Sequence, residues 1–88
     1  MLGKAVYKVP GGKLLKVTVE HEEGRIISAR VNGDFFAHPE DSIEKLEQTL
    51  EGARLEDVAD VVASSLSGAE LYGVDTESIT KTLLEAIR

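Results

Sequence analysis

Cysteine is absent from the 88 residues, and that absence removes disulfides, thiol nucleophiles, thiolate metal sites and iron–sulfur ligation together. Tryptophan is absent as well, and the aromatics are two phenylalanines and two tyrosines. The two histidines, His21 and His38, stand outside any spaced ligand motif, so no metal site is expected. No apolar run approaches the about 20 residues of a membrane span, and the opening MLGKAVYKVPGGK lacks the apolar core of a signal peptide. The sequence therefore predicts a cytoplasmic chain that does not enter membranes. Basic runs are missing too: no two Lys or Arg residues adjoin, and 16 acids outnumber 10 bases for a net charge of −6. Nucleic acid is a poor partner for such a chain.

What is present suits one small soluble domain over residues 1–88. Hydrophobic residues make up 42% and charged residues 30%, the composition of a globular chain rather than a disordered one. A domain of this size buries about 60–65% of the surface its unfolded chain exposes. That allows one core and leaves no room for a deep, lidded active site. The charge is uneven: residues 1–33 carry six bases against three acids, and residues 34–88 carry four bases against thirteen acids. An anionic ligand or an acidic partner surface would meet the first third.

Period-two alternation over residues 4–33 predicts strands. Leu15, Val17 and Val19 fall on one face and Lys16, Thr18 and Glu20 on the other; further on, Ile27, Ala29 and Val31 oppose Ser28, Arg30 and Asn32. Pro10-Gly11-Gly12 and Glu22-Glu23-Gly24 supply turn chemistry between the three runs, giving a three-stranded antiparallel meander. After Gly33 the period becomes helical. Ile43, Leu46 and Leu50 share one face; Asp41 and Glu44 have capping-box spacing, and Gly52 stands where a helix would stop. Leu55, Val58, Val61, Val62 and Leu66 predict a second helix. Ser67 to Asp75 breaks the pattern as a loop, with room for a short extended piece, and Asp75 caps a third helix carrying Ile79, Leu83 and Ile87. The predicted fold class is α+β: β-β-β followed by α-α-α, the helices on one face of the sheet.

Few residues offer chemistry. KVPGGKLLK has glycines and lysines, but a phosphate loop leads into a helix N-terminus and these lead into a strand. The neighbouring acids Glu22/Glu23 and Glu56/Asp57 lie at turns or helix starts, without the pocket that separates two pKa values. Ser64, Ser65 and Ser67 lack a nucleophile elbow and an activating base. Gly33-Asp34-Phe35-Phe36 is different. It places both phenylalanines side by side between strand and helix, and neighbours in an extended segment point to opposite faces. One Phe can plug the seam between sheet and helix while the other anchors a partner; the residues alone leave open which does which.

GRIISARVNGDFFAHPEDSIEKLEQTLEG, continued by ARLEDVADVV, resembles the accessory, C-terminal domain of lipoate–protein ligases. The likeness rests on a strand ending in Gly-Asp-Phe-Phe and the Ile…Leu-Glu…Leu…Gly helix after it, and it covers about Lys13 to Leu66, with the last helix matched by order. In that family a large catalytic domain activates lipoate with ATP to lipoyl-adenylate and transfers the lipoyl group to a lysine of an acceptor domain. Nothing in these residues resembles that catalytic domain. The resemblance implies the small subunit of a bipartite ligase of the kind seen in archaea, not catalytic alone, needed for adenylation more than for transfer. ATP, lipoate and magnesium would sit on the large catalytic partner, with no cofactor on this chain. The accessory fold is also similar to that of iron–sulfur scaffold and sulfur-acceptor proteins, whose cysteine chemistry does not carry over.

Two groups of residues follow from this reading. Asp34, Phe35 and Phe36 are expected to bind the partner, and Lys8, Lys13 and Lys16 of the first hairpin to face its activation site. The alternative is a free-standing, self-associating or protein-interaction module without ligase activity. An independent small enzyme ranks last, because no nucleophile–base pair can be assembled.

Overall fold

The computed structural model describes residues 1–88. Both predicted hairpins form. Strand β1 (Leu2–Lys8) pairs with β2 (Leu14–Glu22), and β2 pairs with β3 (Arg25–Gly33), all antiparallel in the order β1-β2-β3. Pro10 and Gly11 form the corners of the first turn, closed by the Gly12 amide on the Val9 carbonyl at 2.9 Å. Glu23 and Gly24 form the second, with φ of 50° and 78°, the two-residue geometry that matches strand twist.

Leu15, Val17 and Val19 are buried as the alternation predicts. In β3 the alternation needs one correction. Ala29 and Val31 are buried, but Ile26 rather than Ile27 joins them, and Ile27 is 53% exposed. The register gives the reason: Glu20 faces Ser28 and His21 faces Ile26, so Ile27 is the extra residue of a β-bulge. The bulge reverses which residues of β3 point inward beyond it, so Ile26 joins the buried layer opposite His21, which lies there by the unbroken alternation of β2.

Helix α1 spans Ser42–Leu50, α2 Val58–Leu66 after a 3-10 turn at Leu55–Asp57, and α3 Thr76–Ala86. Each turns a helical-period stripe inward: Leu46 and Leu50; Val58, Val62 and Leu66; Ile79, Leu83 and Ala86. Helix α1 packs on β3 and α3 on β1 and β2, while α2 packs against both helices. The helices cover one face of the sheet, as expected. Asp75 caps α3, its carboxylate accepting from the Ser78 amide at 2.7 Å. The capping box expected from Asp41 and Glu44 does not form. Asp41 has near-helical backbone angles, φ −86° and ψ 6°, whereas a capping side chain folds back from an extended residue. Its carboxylate instead lies 3.3 Å from the Lys45 ammonium, and the Ser42 hydroxyl donates to the Pro39 carbonyl at 2.6 Å.

A second correction concerns element order. Phe36–His38 and Glu70–Tyr72 form a separate two-stranded antiparallel ribbon, β4 and β5. One ribbon strand precedes α1 and the other lies between α2 and α3, so the order is β-β-β-β-α-α-β-α. The α+β class and the three-stranded sheet stand.

Candidate functional site

The ribbon explains why both phenylalanines occupy one stretch. Beyond β3 the Asp34 amide donates to the Leu14 carbonyl at 3.2 Å, so the chain leaves the sheet still tied to β2. It is this backbone bond that anchors Asp34, whose side chain is exposed. Phe35 turns inward, half-buried against the core. Its ring lies over Gly33, where a Cβ would stand 2.9 Å from two ring carbons; only glycine permits that approach. Phe36 turns outward and is 74% exposed.

Across the ribbon Phe36 faces Tyr72, itself 53% exposed. Directly opposed aromatics on one face of a strand pair interact. The Tyr72 hydroxyl donates to the Glu70 carboxylate at 2.6 Å, and that bond holds the phenol above its ordinary pKa. The result is a fixed aromatic pair in solvent, beside an open groove of about 360 Å³ lined by Gly33, Phe35, Phe36 and Ile43 with Glu40 at its margin. Leu71, half-buried on the opposite side of the ribbon, packs against the core, and its partner Ala37 is half-buried. This backing fixes the aromatic pair on a supported surface.

The three lysines grouped by the sequence are divided by the sheet. Lys8 and Lys16 are exposed and, being even-numbered in β1 and β2, point away from the buried odd residues onto the uncovered face. Lys13 lies in the hairpin on the other parity. Its stem crosses Gly73, where φ is +88° and a Cβ would stand 2.6 Å from Lys13 Cγ and 3.6 Å from Phe35 Cβ. Lys13 alone therefore joins the Gly-Asp-Phe-Phe site. The expectation of one basic hairpin surface fails because alternation sends residues three apart to opposite faces.

Tyr72 and Gly73 belong to the site and were outside the predicted set. The only signal for them is Glu-Leu-Tyr alternating over three residues, too few to mark a strand or its distant partner. A larger groove, about 520 Å³, lies elsewhere, between α2 and α3. Ala59, Ala63 and Leu84 supply its apolar surface, and Glu77, Lys81, Glu85 and Arg88 surround it with charges of both signs. No three His, Cys, Asp or Glu side chains converge as a metal site would require, and no helix is long and apolar enough to cross a membrane.

Comparison with known proteins gives this site its context. Residues 6–83 match the family model described as bacterial lipoate protein ligase C-terminus. The chain belongs to the lipoate–protein ligase C-terminal family. Within it, the chain is 35% identical over 71 residues to lipoate-protein ligase A subunit 2 of Thermoplasma acidophilum, spanning 80% of this chain and 76% of that protein. It also superposes on a chain from the structure of an archaeal lipoylation system of that organism, a bi-partite lipoate protein ligase and its E2 lipoyl domain. The TM-score is 0.87 at 32% identity, covering 94% of both chains. A lipoate–protein ligase C-terminal domain thus presents, at the end of its sheet, an outward aromatic pair beside an inward phenylalanine and a lysine.

Proposed function

We propose that this chain is the small, non-catalytic subunit of a bipartite lipoate–protein ligase, required with a large catalytic subunit for ATP-dependent activation of lipoate to lipoyl-adenylate. One observation carries the reading: the match to the archaeal ligase chain runs over 94% of both molecules, so the likeness extends through the whole small chain. ATP, lipoate and magnesium would bind on the catalytic subunit, and the lipoyl group would pass from there to an acceptor domain in the cytoplasm.

In this reading Phe36 and Tyr72 are the docking pair. Aromatics at interface centres contribute large area with few rotatable bonds, and the ribbon already fixes theirs. Asp34, exposed beside them, orients the contact. Lys13, lying across Gly73 next to Phe35, is the lysine placed to extend from the docked surface towards the activation site. There an added cation and the exclusion of water stabilise phosphoryl charge. Lys8 and Lys16, on the other side of the sheet, have no part in that contact. A partner that binds only the activation-competent state of the catalytic subunit raises its population by the differential affinity.

The test is lipoate-dependent ATP–pyrophosphate exchange by the cognate catalytic subunit, with and without this chain, beside transfer from preformed lipoyl-adenylate. Exchange should appear on mixing while transfer is largely indifferent. Equal exchange without the chain would overturn the reading and favour a self-associating module.

A further inference from the structure

Strand β1 is an edge of the sheet along which no outward backbone group is bonded, and its chemistry specifies what would pair with it. In β1 the hydrogen bonds to β2 alternate: Met1 exchanges bonds with His21, its amine donating to the His21 carbonyl at 2.6 Å and its carbonyl accepting from the His21 amide at 2.8 Å. The Val9 amide reaches the Lys13 carbonyl at 2.9 Å. With the register constant between them, the odd residues Gly3, Ala5 and Tyr7 also bond to β2. Leu2, Lys4, Val6 and Lys8 therefore direct their amides and carbonyls outward, where no backbone or side-chain group of the chain meets them. The same four residues have their side chains exposed, with Leu2 and Val6 each 60% accessible. Backbone donors and side-chain determinants thus coincide on one edge.

We infer that β1 accepts an extended segment of the catalytic subunit, bearing the pattern acid-x-apolar-x-acid, as a fourth strand of the sheet. The inference rests on the proposed function for its partner and adds a second contact, leading into the hairpin that carries Lys13. Charge selects this occupant. Lys4 and Lys8 flank Val6 on the outward-bonding residues, so a paired strand places acids opposite both lysines and an apolar side chain opposite the valine. A second copy of this chain fits poorly. Antiparallel β1–β1 pairing would set Lys4 and Lys8 of both copies on one continuous face, beside Lys16 of each, and like charges across strands oppose pairing.

Residue-resolved amide exchange of the chain, free and saturated with its cognate catalytic subunit, tests this. The Lys4, Val6 and Lys8 amides should slow at least about tenfold in the complex, while Gly3, Ala5 and Tyr7, already bonded to β2, change less. Val6→Pro removes an outward donor without touching a bond to β2 and should weaken the complex at least about fivefold. Lys4→Glu with Lys8→Glu should weaken it further. A complex that activates exchange of ATP with pyrophosphate while the three outward amides stay unprotected would overturn the inference and leave the proposed function intact. Failure to form any complex, with no activation, would overturn both. Protection that instead rises with the concentration of the free chain would show self-pairing and also overturn it.

Discussion

The two edges of the sheet are finished differently. At β3 the chain closes its own edge at two points: the Val31 amide donates to Glu47 Oε2 at 2.7 Å, and the Ile26 amide to the Ala53 carbonyl at 2.9 Å, with the Gly52 amide donating to the Ile26 carbonyl at 2.7 Å. At β1 the outward groups of four residues are left to solvent. The difference teaches that β1, with Lys4 and Lys8 exposed on it, is the edge free to take the partner strand inferred above, a contact separate from the aromatic ribbon of β4 and β5.

The comparison breaks most severely at Ile26. Ile26→Ala should cost about 3 kcal/mol in chemical denaturation, because it empties a fully packed site behind the closed edge. Ile27→Ala, one residue along but outside the core, should cost less than about 0.5 kcal/mol. Equal losses would mean the bulge is misplaced. Glu47→Ala should cost about 1–2 kcal/mol by stranding the part-buried Val31 amide. Its nearby Arg30, 3.7 Å away and largely exposed, adds little.

The open edge depends instead on the helix beneath it. Asp75→Ala should destabilise α3, and with it the support of β1, by about 1 kcal/mol at neutral pH. The side chain and amide of Ser78 hold the Asp75 carboxyl below its ordinary 3.8. The folded value being depressed, the cap contributes fully above that ordinary value and is lost as pH falls through the folded one. Acid titration of stability should therefore show the wild type and Asp75→Ala converging below pH 3.8. Smallest of all is Val6→Pro in the isolated chain, expected to shift stability by less than about 1 kcal/mol because the deleted amide has no partner. A large loss in thermal melting would show that β1 is not a free edge.

Much of this was legible in the sequence where structure is local. Pro10-Gly11-Gly12 and Glu23-Gly24 carry their turns in their residue types, and Asp75 carries its cap. The three helices follow from apolar spacing. Ile26 and Ile27 were not distinguishable, since adjacent isoleucines satisfy either phase and the bulge that chooses between them depends on the partner strand. Nor could three-residue strands such as Phe36–His38 and Glu70–Tyr72 declare themselves, because their pairing joins residues about 35 apart and neither has a period to read. The outward Phe36 follows from that pairing, and so does the inclusion of Tyr72. For the lysines, grouping by sequence ignored alternation, which keeps Lys13 beside Phe35 and sends Lys8 and Lys16 to the other face.

The central claim is that docking and activation separate at Phe36 and Lys13. It is tested most directly by the rate of lipoate-dependent ATP–pyrophosphate exchange as this chain is titrated into its catalytic subunit. Phe36→Ala should raise the concentration needed for half-activation at least about tenfold with the plateau unchanged, and Lys13→Ala should lower the plateau with half-activation unchanged. Titration curves for both variants that overlay the wild type would contradict the account.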